Sequence, residues 1–123
     1  TLFPYTTLFR SFGNSGGNYL YPFIKNDGTY IPVTISQPSG SADAVTVTTY
    51  PTPVSNLPWP SSPVAVTTLA SAGITNDSLA TADRFWNIIS DAPITGNITF
   101  NYAPSELPPA PYNDPLSLKA QRC

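Results

Sequence analysis

Histidine and methionine are absent from the chain, and its single cysteine is the final residue, Cys123. Without imidazole, and with no thiol away from the terminus, Ser-His and Cys-His nucleophile pairs and His or Cys metal sites are excluded within these residues. No internal disulfide can form, so stability rests on packing. Charge is scarce too: Asp, Glu, Lys and Arg make up 10% of the 123 residues, against roughly 25% in an average soluble protein. The surface is therefore expected to be built from Thr, Ser, Asn and Gly. The basic residues Arg10, Lys25, Arg84, Lys119 and Arg122 are scattered and the net charge is −2. No basic stripe can neutralise phosphates, so no nucleic-acid partner is expected. No apolar run approaches the roughly 20 residues of a spanning helix, so no membrane span is expected.

What the chain does have is 15 prolines and many Thr, Val, Ile, Tyr and Phe, which argues for short strands broken by turns. In TGNITFNY (Thr95 to Tyr102), Ile98, Phe100 and Tyr102 alternate with Asn97, Thr99 and Asn101, the pattern of a strand wet on one face. Ile31, Val33 and Ile35 share one phase of TYIPVTIS, with Pro32 where no ladder donor is needed. Val45 and Val47 share a face of AVTVTTY. YLYPFI (Tyr19 to Ile24) and the turn KNDG (Lys25 to Gly28) predict a hairpin over Tyr19 to Ser36. DRFWNII (Asp83 to Ile89) is apolar on both phases and predicts a buried central strand, with Trp86 and Ile88 on one face. VAVTTL (Val64 to Leu69) and SLKAQR (Ser117 to Arg122) are weaker strand candidates, the second as a closing strand. YPTPVSNLPWPSSP (Tyr50 to Pro63) and ELPPAPYNDP (Glu106 to Pro115) predict ordered loops. About seven short strands without a helix predict an all-β, antiparallel β-sandwich, Ig-like or jelly-roll-like.

The acids Asp27, Asp43, Asp77, Asp83, Asp91, Glu106 and Asp114 include no closely spaced pair. Most stand in turn contexts such as NDG, TND and YNDP, where Asp binds its own backbone, so turn chemistry outweighs catalysis or calcium binding. Arg84 beside Trp86 is expected to pair with a carboxylate such as Glu106 and pack its stem on an aromatic. Trp59, Tyr50 and Tyr112 are the candidate sugar-stacking residues, weighed against the commoner role of aromatics beside proline as plugs between loop and core. No catalytic, cofactor-binding or metal-binding residue is assigned, and no cofactor is expected. FGNSGGN (Phe12 to Asn18) opens no helix and reads as a flexible lead-in rather than a phosphate loop. Asn97-Ile98-Thr99 matches the Asn-glycosylation pattern but falls inside a strand.

TLFPYTTLFRS, Thr1 to Ser11, is similar to the translation of a widely used short-read sequencing adapter. That resemblance implies an adapter-derived segment over residues 1–11, a lead-in over 12–18 and a single sandwich domain over 19–123, cut short at its C-terminus. On its own residues the same stretch suits a strand, with Leu2, Phe3, Tyr5, Leu8 and Phe9 as its apolar positions. Four further segments carry a second likeness: Tyr21-Pro22-Phe23, Tyr30-Ile31-Pro32-Val33-Thr34, Arg84-Phe85-Trp86-Asn87-Ile88 and Thr99-Phe100-Asn101-Tyr102. In this order they resemble a β-sandwich module of large secreted proteins of the Bacteroidota. The resemblance spans Gly13 to Arg122. It implies a structural or adhesive module in a type IX-exported, extracellular or cell-surface protein, whose partners are neighbouring domains of the parent chain, surface glycans or other surface proteins. It brings no catalytic residues, and it implies a Trp where this chain has Cys123. The alternative is a carbohydrate-binding accessory module of a glycan-degrading enzyme, with Trp59 and its neighbours as the platform.

Overall fold

The computed structural model describes residues 6–11, 17–41, 44–62, 64–71, 74–75 and 77–120. Residues 1–5, 12–16, Asp43, Pro63, Arg122 and Cys123, named above, lie outside the described set. Eight strands run β1 (Thr6–Ser11), β2 (Asn18–Tyr21), β3 (Val33–Gly40), β4 (Ala44–Pro51), β5 (Ala70–Ser71), β6 (Ile74–Thr75), β7 (Arg84–Ser90) and β8 (Ile94–Thr99). Two three-stranded sheets, ordered β1-β4-β7 and β2-β3-β8, hold all but the β5-β6 pair, and every pairing is antiparallel. The chain crosses between sheets from β1 to β2, from β3 to β4 and from β7 to β8, and the two sheets form a curled, sandwich-like half-barrel. The expected all-β sandwich class is what forms.

Its core follows the period-two reading. Val33 and Ile35 of β3 and Val45 and Val47 of β4 are buried, with Tyr21, Phe23 and Ile31 beside them. Partly buried Trp86, Ile88, Ile94 and Phe100 pack against this cluster. The Tyr21 hydroxyl donates to the Val45 carbonyl at 2.8 Å, a polar tie from one sheet to the other inside the apolar interior. The expected hairpin is present: Tyr21 opposes Val33 and Asn18 opposes Ser36. The Gly28 amide closes its turn on the Lys25 carbonyl at 2.9 Å, and φ of 88° there suits glycine.

Two prolines find the places a strand allows them. Pro32 ends just before β3, and its carbonyl accepts from the Asn101 carboxamide at 2.8 Å. Pro38 sits where the β3-β8 register slips between Ser36 and Ser39, a bulge that spares the missing donor.

Expectations are corrected at β7, at β8 and at the two weaker strand candidates. β7 is an edge strand rather than a central one. Its second apolar phase exists because Phe85 packs on Tyr50, ring centroids 5.7 Å apart, on the outer face of the sheet, while Ile89 stays 48% exposed. Ser117 to Ala120 form no strand; Ser117 belongs to a turn closed on Asp114. Val64 to Leu69 run extended without pairing as a strand, and of them only Leu69 is buried. Asn18, at the end of the expected lead-in, is the first residue of β2. The strand over Thr95 to Tyr102 starts at Ile94 and stops at Thr99, and at the sheet edge it is exposed on both phases except at Ile94. Thr6–Ser11 pairs along β4 from Thr49 to Ala44, the strand geometry its apolar alternation allows. Pairing is a property of those residues whatever their origin.

Candidate functional site

The charged side chains of the interior meet at one end of the core. Arg84, 5% exposed, opens β7 on the core-facing phase it shares with Trp86. Its Nε donates to Glu106 Oε2 at 2.9 Å and to Oε1 at 3.0 Å, and its Nη2 lies 2.8 Å from Oε2. Nη1 donates to Thr49 Oγ1 at 3.0 Å, and that hydroxyl in turn donates to the Phe85 carbonyl at 2.8 Å. Glu106, 4% exposed, closes the 3₁₀ turn Pro104–Glu106, and its Oε1 accepts the Ala103 amide at 2.7 Å. Lys25 adds a looser contact at 3.8 Å. The pairing expected for Arg84 is present, and every donor in it serves structure.

Beside this pair, the fully buried Asn56 carboxamide donates to Asp83 Oδ1 at 3.1 Å, to the Ala82 carbonyl at 3.3 Å and to Thr52 Oγ1 at 3.4 Å. Burial pushes the Asp83 carboxyl above its ordinary value, the Asn56 hydrogen bond opposes this, and the Glu106 charge adds to it. Elsewhere the acids do turn work. Asp27 accepts the Thr29 amide at 2.9 Å, Asp77 the Leu79 amide at 3.2 Å and Asp114 the Leu116 amide at 3.0 Å. Hydrogen bonds from the Thr29 side chain and backbone hold the Asp27 carboxyl below its usual range. Among the described residues no group of three His, Cys, Asp or Glu side chains is placed to hold a metal ion.

The aromatic candidates separate. Register puts Thr48, Tyr50, Phe85 and Asn87 on the outer face of the β4-β7 pair, opposite the core. Across that face returns the proline-rich loop of residues 52–62. Tyr50 is 2% exposed, and its hydroxyl donates to the Pro58 carbonyl at 2.6 Å, so it anchors the loop and offers no free ring face. Trp59 is half-buried and lines, with Tyr50, Pro60, Ser61, Ser62 and Asn87, an open cleft of about 240 Å³. Tyr112 is 38% exposed in a turn on Pro109 and does not line the cleft. Proximity of Trp59 to Tyr50 was legible as a sequence grouping. Asn87 was not singled out, and the only signal for it is its alternate phase to Trp86 in the strand.

No family model, curated protein or solved structure matches the chain. The geometry above therefore carries the functional reading alone.

Proposed function

We propose that this chain is a non-catalytic structural or adhesive module of a secreted or cell-surface multidomain protein, akin to the spacer modules of the Bacteroidota that its sequence resembles. The observation that carries the reading is the use of Glu106. This buried carboxylate, held by a guanidinium, is also bonded to the Ala103 amide, so its lone pairs are committed to holding a turn against a strand. A general acid or nucleophile needs a free oxygen facing substrate. Few charges, a surface rich in Thr, Ser and Asn, and a small all-β core further support a module that works by shape and contact.

The test is a screen of the full chain against chromogenic glycosides, esters and a casein substrate, run beside Glu106→Gln. The expected result is no turnover by either protein and a lower melting temperature for the variant. Turnover by the wild type that vanishes in the variant overturns the reading.

A further inference from the structure

We infer that Asp27-Gly28 is a latent modification site, where the Asp27 carboxyl and the Gly28 amide condense to a succinimide that reopens as isoaspartate, and that the folded turn holds this reaction off. The inference concerns how the chain ages and stands whatever the module contacts.

A glycine after an aspartate leaves the attacking nitrogen unshielded, because no side chain flanks it. Of the seven glycines in the chain, Gly28 is the one that follows Asp or Asn. The hairpin itself calls for glycine there. The Lys25 amide bonds the Thr29 carbonyl at 2.9 Å and the Gly28 amide bonds the Lys25 carbonyl at 2.9 Å, a three-residue loop whose last position takes φ of 88°. Asn26, Asp27 and Gly28 are all exposed, and a Cβ built on Gly28 would meet no atom within 4 Å. Solvent therefore reaches the reacting groups, and any protection must come from bonding rather than burial.

The chemistry needs only water. The Gly28 nitrogen gives its proton to solvent base and attacks Asp27 Cγ, a C–N bond forms, and one carboxyl oxygen leaves as water. Water then adds to the main-chain carbonyl of the ring and breaks its bond to nitrogen. The chain now runs through the former side-chain carbon, with the same atoms as before.

Two bonds of the folded turn oppose the first step. The Gly28 N–H is committed to the Lys25 carbonyl, which keeps the proton on the nucleophile. Asp27 Oδ1 accepts the Thr29 amide at 2.9 Å, so the carboxyl is held to the nitrogen one residue beyond the one that would attack it. The Thr29 side chain and backbone also favour the ionised carboxylate, and the protonated acid is the form that loses water. Opening the turn removes both restraints together. The turn lies beyond the Tyr21-Val33 pair, tied only by the Ile24-Tyr30 bridge, so it can open without disturbing the core strands. Isoaspartate lengthens the main chain of the loop by one carbon and so alters the loop that this bridge closes.

The experiment incubates the full chain at neutral pH, folded or in guanidinium chloride. Isoaspartate is read by methyl transfer from S-adenosylmethionine with an isoaspartyl carboxyl methyltransferase, and its position by peptide mapping. The expected result is isoaspartate at position 27, formed at least about tenfold more slowly in the folded chain. Thr29→Val keeps the backbone bond and loses the hydroxyl, so it should raise the folded rate about threefold and leave the unfolded rate unchanged. Asp27→Glu, whose longer side chain closes the ring poorly, should lose the signal in both states. Equal rates in the folded and unfolded chain, or a folded rate that Thr29→Val does not move, overturns the protective role of the turn. A signal that survives Asp27→Glu overturns the site.

Discussion

The Arg84 guanidinium grips Glu106 through Nε and Nη2, both within 3.0 Å of the carboxylate, while its remaining nitrogen bonds Thr49 of the neighbouring strand. One side chain thus ties β7 to β4 and to the turn at Pro104–Glu106. The pair lies in the interior, where each ion offsets the desolvation of the other.

Removing one partner leaves a buried charge without its counter-ion. Arg84→Met or Glu106→Leu should each cost about 3 to 5 kcal/mol in urea unfolding. The double variant Arg84→Met, Glu106→Leu should be less destabilised than the sum of the two, because no lone charge remains. Additive losses would place the energy in packing rather than in the pair.

Tyr50→Phe deletes the hydroxyl that holds Pro58 and leaves the ring on Phe85. A loss of about 1 kcal/mol is expected, together with faster proteolytic cleavage within residues 52–62. Unchanged proteolysis would mean that the loop is held elsewhere.

Partial burial holds the Asp83 carboxyl above its ordinary value. Its folded form therefore binds a proton more readily than its unfolded form. The sign follows: between the unfolded value and the raised folded value, stability falls as pH rises, because the folded state must give up a proton the unfolded chain has already lost. Asp83→Asn keeps an acceptor for Asn56 and removes the titration. Melting temperature against pH should fall less steeply for the variant through mildly acidic pH. Parallel curves would assign no such role to Asp83. Asp27, whose carboxyl is shifted the other way, should contribute the opposite slope at lower pH.

Gly40 ends β3 with φ of 129°, and a Cβ there would overlap the Pro93 carbonyl and Ile94 backbone. Neither neighbour is a side chain that can swing aside. Gly40→Ala should cost at least about 1 kcal/mol, measured by thermal melting. A neutral substitution would show that the β3-β4 and β7-β8 crossings do not press on each other at this point.

Much of this architecture was legible residue by residue. Ile31, Val33, Ile35, Val45 and Val47 lie on the buried phase their alternation predicts, and Arg84 finds Glu106 across 22 residues because a buried guanidinium needs a carboxylate. The misreadings share one physical cause. Alternation reports whether a face is covered, not what covers it. Phe85 is shielded by Tyr50 beneath a returning loop, which mimics the pattern of a strand flanked on both sides. Ser117 to Ala120 hold no β-branched or aromatic residue and find no partner strand, so the expected closing strand had little local support. At the cleft, Trp59 announced itself by residue type, whereas Asn87 acquires meaning only from the register that brings it to the same face.

The separation along the chain of β4 from β7 sets the order in which this domain can assemble. The hairpin of β2 and β3 closes over a short connection and can form early, but Ala44–Pro51 must wait for Arg84–Ser90, with more than thirty residues between them. Closing that long loop, like the still longer one between β3 and β8, comes before any contact rewards it, so both pairings are expected to form after the hairpin. A chain emerging N-terminus first therefore holds the valines of β4 without their β7 neighbours until residue 90 has appeared, and it is in that interval that a holding chaperone would find its target.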